Sequence, residues 1–130
     1  MSRFLDKRER RIVQKPWGWI DWIYNGTYCG KIVYIKKGSN CSWHYHITAD
    51  EVIYVESGKA ELIYGEDDDP SEAEIKILKV GEAFHITTYT RHQLYAIEDL
   101  HLYEFSIKQE ESDIIRITQN NVIKNCNKKT

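Results

Sequence analysis

Along most of this chain apolar and polar residues alternate in short runs. That period of two sends successive side chains to opposite faces of an extended strand. KIVYI (Lys31–Ile35), VIYVE (Val52–Glu56), KAELIY (Lys59–Tyr64) and HLYEFSI (His101–Ile107) show it most clearly. The same reading predicts strands at Ile20–Tyr24, Ser42–His46, Glu74–Leu78, Ala83–Ile86 and His92–Ala96. These segments are rich in Ile, Val, Tyr and Trp, the residues that suit a pleated, half-buried surface. Asn25-Gly26, Lys37-Gly38-Ser39-Asn40, Ser57-Gly58 and Lys79-Val80-Gly81 fall between them as turn signals. Before Glu110 no sustained stretch repeats apolar residues at the helical period. The pattern predicts an all-β domain of short strands, a sandwich or jelly roll. Gly65–Ser71 (GEDDDPS) lacks the spacing of a calcium loop and reads as a solvated hairpin tip.

At 130 residues, 42% hydrophobic and 29% charged, the chain fits one soluble globular domain. No apolar run approaches the ~20 residues of a membrane span, and the amino-terminal MSRFLDKRERR has no apolar signal core. A net charge of -2 argues against a nucleic-acid partner. Basic residues collect at the ends, so 1–14 is expected to be a basic arm and 119–130 a polar tail. Cys29, Cys41 and Cys126 have no metal or redox spacing, and their odd count suits free thiols in a reducing, cytoplasmic setting.

Residues 38–58 read GSNCSWHYHITADEVIYVESG. On a strand His44 and His46 share one face, and Glu51 opens the next strand, where it can return to the same interior. Two imidazoles and a carboxylate suit a borderline divalent metal. His92, on a later strand, offers a fourth ligand. A lone histidine on an apolar strand is more often a hydrogen-bonded core residue; the glycines, the glutamate and the later histidine together make the pattern far more restrictive.

The first block, Gly38 to Gly58, matches the cupin motif G-x5-H-x-H-x3,4-E-x6-G, and Gly81 with His92 has the spacing of the second cupin motif. There Thr87, Tyr89 and Ala96 replace the motif's proline, second glycine and asparagine. The resemblance implies a double-stranded β-helix, a jelly-roll barrel, with one divalent metal held by His44, His46, Glu51 and His92. Zinc is the first expectation, with manganese, iron, nickel or cobalt as others. Lys15-Pro16-Trp17-Gly18, Val55–Ala60 and Glu111–Arg116 (ESDIIR) are similar to segments of type II phosphomannose isomerase cupin domains. That narrower resemblance implies a mannose-6-phosphate isomerase-like reaction on a sugar-like substrate. Where the family has cations, this chain has Ala49 and Gln93, leaving Lys15, Lys31 and Arg91 as candidates to hold a phosphate.

An isomerase needs a Lewis acid at the carbonyl and a base that carries a proton between adjacent carbons. Glu51, His85 and Glu104 are the catalytic candidates. Tyr95 falls on the face opposite His92, whereas Leu94 and Ala96 share the histidine's face. A cupin dioxygenase or decarboxylase and a non-catalytic, metal-dependent binding cupin are the alternatives. Trp17, Trp19 and Trp22 plug the barrel or pack on its outer sheet, and a homodimer seam is compatible with either, with Trp17 and Trp19 on one face if the segment is extended.

Overall fold

The period-two segments become strands whose apolar faces turn toward one another. The structure is a computed structural model and describes residues 3–6, 8 and 10–123. Its strands are β1 (Arg11–Lys15), β2 (Gly18–Asn25), β3 (Cys29–Ile35), β4 (Trp43–His46), β5 (Glu51–Ser57) and β6 (Lys59–Gly65). They continue with β7 (Glu74–Lys79), β8 (Ala83–Ile86), β9 (Arg91–Ala96), β10 (Leu100–Ser106) and β11 (Ile114–Thr118). One sheet has the order β1-β2-β3-β10-β5-β8 and the other β11-β4-β9-β6-β7. All the pairings are antiparallel. The two sheets form a jelly-roll barrel.

Strand register decides what faces inward. In the first sheet Lys31, Val33 and Ile35 of β3 stand opposite Glu104, Leu102 and Leu100 of β10. Glu104 and Leu102 in turn face Ile53 and Val55 of β5. Across the barrel the second sheet contributes Ala60, Leu62, Leu78, Leu94 and Ala96, and these side chains form the main core with those of the first. Each fully buried Leu or Ile stabilises the fold by about 1.5–3 kcal/mol relative to exposure.

Two strands lie where the alternation predicted none. β1 falls largely within the expected amino-terminal arm, and β11 pairs with β4. Both are edge strands, and neither RIVQK nor IIRIT alternates apolar and polar residues cleanly. The expected tail at 119–130 also begins too early. Val122 is fully buried against Trp43 and Ile63. The Gln93 amide fixes it, donating to the Asn120 carbonyl at 2.8 Å and accepting from the Val122 N–H at 2.9 Å. Residues 124–130, Cys126 included, lie outside the described residues. Cys29 and Cys41 are free thiols. No helix among the described residues is long and apolar enough to cross a membrane.

The tryptophans do not share a face. Pro16 and Trp17 form the two-residue turn joining β1 to β2, which sends Trp17 into the barrel mouth and Trp19 to the outer sheet surface. Gly18 closes that turn against the Tyr34 carbonyl, which any Cβ at this position would overlap. Gly58, at φ 91°, turns β5 into β6 with a Cβ position likewise filled by backbone, that of Asp99.

Candidate metal centre

β4 and β9 carry the histidines. His44 stands directly opposite His92 in register, and His46 follows two residues on, on the same face. The three imidazoles offer ligand atoms within 4.8 Å of one another. Glu51, at the start of β5, places Oε1 3.7 Å from His46 Nε2 and 3.6 Å from His92 Nε2. His46, Glu51 and His92 are buried.

The outer ring nitrogens fix which nitrogen faces inward. His44 Nδ1 donates to the Ser42 carbonyl at 2.8 Å, and His92 Nδ1 to the Thr90 carbonyl at 2.9 Å. In that tautomer Nε2 carries the free lone pair. His46 Nδ1 lies 3.4 Å from Asp113 Oδ2, too poorly aligned to bond, and is the one buried side-chain polar atom without a hydrogen bond among the described residues. Burial, then the neighbouring His92 and His46, hold the His44 pKa well below its ordinary value. Burial also lowers His46, against the pull of Glu51. Burial disfavours ionised Glu51, yet the contact with His92 and the charge of Lys31 outweigh it and lower its pKa. Three imidazoles, two of them held toward the neutral form, and an ionised carboxylate, gathered out of water, are the donor set a first-row divalent cation takes. The residues fit such an ion.

Asp113 holds this corner together. Its carboxylate accepts from the Thr48 N–H (2.6 Å), the Thr48 hydroxyl (2.8 Å) and the Ala49 N–H (3.0 Å). These bonds fix the turn between His46 and Glu51, and they lower the Asp113 pKa in spite of burial.

Next to the centre lies a largely buried ion pair. Lys31 Nζ is 2.9 Å from Glu104 Oε2, donates to Gln109 Oε1 at 2.8 Å and sits 4.5 Å from the centre of the Trp22 ring. Burial opposes the Lys31 charge, but Glu104 and Glu51 more than compensate and raise its pKa. Burial raises the pKa of Glu104 against the opposing pull of Lys31.

The imidazoles, Glu51 and the Lys31–Glu104 pair open on a cavity of about 600 Å³. His44, His46, Glu51, His92, Lys31 and Glu104 line it, with Ile53, Ile86 and Leu94 as apolar wall. Lys15 of β1 and Arg116 of β11 line it too, one from an edge of each sheet, and neither makes an ion pair among the described residues. Cys41 is a further lining group, its thiol pKa pushed up to about 12 by burial.

The structure therefore brings together His44, His46, Glu51, His92, Lys31, Glu104 and Lys15. It does not bring in His85 or Arg91. His85 lies on the outer face of the first sheet, exposed and bonded to Asp50, because its neighbour Ile86 takes the inward position. Arg91 lies one residue before His92 and so points outward, stacking 3.9 Å over Tyr45 and pairing with Asp68. Asp113, Gln109 and Arg116 were missed as site residues. Only the ESDIIR segment held a signal for two of them, and Gln109 follows the last turn with no pattern around it.

Residues 31–106 match the family model described as Cupin domain, over half of the chain. No curated protein matches the chain in sequence. Among solved structures it is similar to KdgF from Halomonas sp. (TM-score 0.68, 22% identity), covering 84% of this chain and 98% of that one. It is also similar to oxalate decarboxylase from Bacillus subtilis (TM-score 0.73, 13% identity, 85% of this chain and 30% of that one). A third is the capsular polysaccharide assembling protein CapF from Staphylococcus aureus (TM-score 0.73, 16% identity, 82% and 32%). The chain thus spans only about a third of the latter two proteins, and at these identities the likeness is one of fold.

Proposed function

We propose, from the fact that this chain belongs to the cupin family and from the geometry of its cavity, that it is a metal-dependent enzyme of the sugar-isomerase type. The reading rests above all on one observation: Glu104, a largely buried carboxyl with a raised pKa, opens on the same cavity as the three imidazoles and Glu51. His44, His46, Glu51 and His92 would hold the metal, zinc first among the candidates. A bound metal supplies Lewis-acid stabilisation of charge on a substrate carbonyl oxygen. Glu104 takes the proton from the hydroxyl-bearing carbon beside that carbonyl and returns it to the carbonyl carbon, while the hydroxyl proton passes to the former carbonyl oxygen, with Lys31 fixing the carboxylate by its bond to Oε2. Lys15 and Arg116, unpaired among the described residues, stand at the mouth as cations for an anionic end such as a sugar phosphate, replacing cations the chain lacks at Ala49 and Gln93. Mannose 6-phosphate and fructose 6-phosphate are the first substrates to assay, with zinc, manganese and cobalt, beside thermal shifts against free sugars and carboxylates. Interconversion lost in Glu104→Gln at unchanged metal content supports the reading. A metal-dependent shift without turnover replaces it with a binding cupin. Oxygen- or carboxylate-consuming turnover with manganese or iron replaces it with a dioxygenase or decarboxylase.

A homodimer in a cytoplasmic setting belongs to the same proposal. The outer face of the six-stranded sheet presents Trp19, Tyr34, Tyr54, Tyr103 and Phe105 where a solvated sheet would carry polar residues. Sedimentation showing a monomer at tens of micromolar would reject the dimer.

A further inference from the structure

Resting on the reading that the imidazoles and Glu51 hold a metal, we infer that Gln109 is a positioning residue. It commits one oxygen of Glu51, so that a single carboxylate oxygen faces the histidines and the cavity side of the centre stays open for a chelating ligand. Gln109 follows β10, belongs to no strand, and is nonetheless buried. Its Nε2 donates to Glu51 Oε2 at 2.9 Å and to Ser106 Oγ at 3.0 Å, and its Oε1 accepts from Lys31 Nζ at 2.8 Å. That orientation is forced. An ammonium has only donors and a carboxylate only acceptors, so a flipped amide would set like against like on both sides.

The backbone is held just as firmly. The Gln109 N–H donates to Asn25 Oδ1 at 2.9 Å, and its carbonyl accepts from Asn25 Nδ2 at 3.0 Å. An asparagine at the end of β2 thus clamps the residue that reaches Glu51. Glu51 Oε1 is left as the oxygen beside His46 and His92. A carboxylate with both oxygens free can take two positions on a cation; with Oε2 bonded elsewhere it offers one. Outer partners of this kind set how a ligand presents itself, and their loss changes metal behaviour by about 10–100-fold.

Cobalt(II) loaded into the purified protein tests this, because its visible bands weaken as coordination number rises. Acetohydroxamate serves as a bidentate oxygen probe. In Gln109→Met, similar in volume but unable to bond, the visible absorption should fall by at least about twofold and acetohydroxamate should bind about tenfold more weakly. One cobalt per chain should be retained. Asn25→Ala, at an exposed site, should move both readouts the same way by a smaller amount, and it carries the test if Gln109→Met does not fold. Spectra and probe affinity unchanged in a folded variant overturn the inference, as does loss of cobalt from a variant while the wild type keeps it. A wild-type protein that binds no cobalt overturns the metal reading itself, and this inference with it.

Discussion

The two ends of the barrel interior are made from the same strands and hold opposite chemistry. β3 runs from Lys31 through Val33 to Ile35, and β5 from Glu51 through Ile53 to Val55. β9 runs from His92 through Leu94 to Ala96, and β10, in reverse, from Glu104 through Leu102 to Leu100. Within five residues each inward row passes from an ionisable group to aliphatic core. The apolar end, with Leu62 and Leu78 completing it, is what folds the domain. The polar end cannot be explained that way, because burying ions costs more than burying well-packed apolar groups of similar size. A barrel built for stability alone would continue the Val and Leu rows to the mouth. The ionisable rows are therefore the part of the sequence that stability alone does not explain.

Breaking the charge balance of the polar end should have the largest effect. Lys31→Met leaves Glu104 and Glu51 buried without their shared cation and should cost about 3–5 kcal/mol at pH 8, by chemical denaturation. Adding Glu104→Leu should recover much of that loss, because the pair is then replaced by apolar volume. The pH dependence follows from Glu104. Its folded pKa is raised above the ordinary 4.5, so between 4.5 and the folded value the native state binds more protons than the unfolded one. Stability from this group therefore falls as pH rises through that window, and Lys31→Met, by raising the folded pKa further, should widen it. A variant equally destabilised at pH 5 and pH 8 would contradict this.

The apolar end should break differently. Leu62, fully buried, becomes a cavity in Leu62→Ala at a cost of about 2–5 kcal/mol. Its metal affinity, measured on folded protein, should stay at the wild-type value. If affinity falls with stability, the two ends are not separable.

Between these ends Asp113→Asn tests the corner of the metal centre. One amide oxygen cannot serve the Thr48 and Ala49 donors as two carboxylate oxygens do, and it loses the charge beside His46. Metal affinity by calorimetric titration should weaken by about 10–100-fold, the range for outer partners of metal-binding histidines. An unchanged affinity would mean that His46 is held by packing alone.

What could be read from sequence follows the same division. Period-two alternation gave the central strands because each has one face in the core, and His44, His46 and His92 were legible because strand parity and apolar neighbours put them on that face. The parity that excluded Tyr95 also held, since Leu94 and Ala96 are in the core. β1 and β11 were not legible, because neither RIVQK nor IIRIT alternates apolar and polar residues cleanly. Gln109 and Asp113 were not legible as site residues either, because one acts from a loop and the other from a single 3-10 turn, and the position of each depends on contacts distant in sequence, Asn25 for one and Thr48 for the other. His85 falls outside the cavity because its neighbour Ile86, opposite Glu51, takes the interior, a parity that the short AFHI segment does not fix by itself.

The smallest effect belongs to Arg91, a cation expected at the substrate and found outside the cavity. Its guanidinium stacks on Tyr45, bonds Asp68 from Nε at 2.9 Å and donates to the Tyr89 carbonyl at 2.9 Å. Asp68 is largely exposed, so the ion pair contributes about 0.2–1 kcal/mol, and the stacking adds about 0.5–1 kcal/mol. Arg91→Ala should therefore lower stability by about 1 kcal/mol and leave the affinity for an anionic ligand unchanged. Lys15→Ala provides the contrast, since its side chain lines the cavity without an ion pair: there stability should hold while affinity for inorganic phosphate falls. Phosphate titrations of the two metal-loaded variants, side by side, decide the matter. If Arg91→Ala weakens phosphate as much as Lys15→Ala does, the outward side of β9 takes part in binding, and the separation of cavity from outer face fails at the residue next to His92.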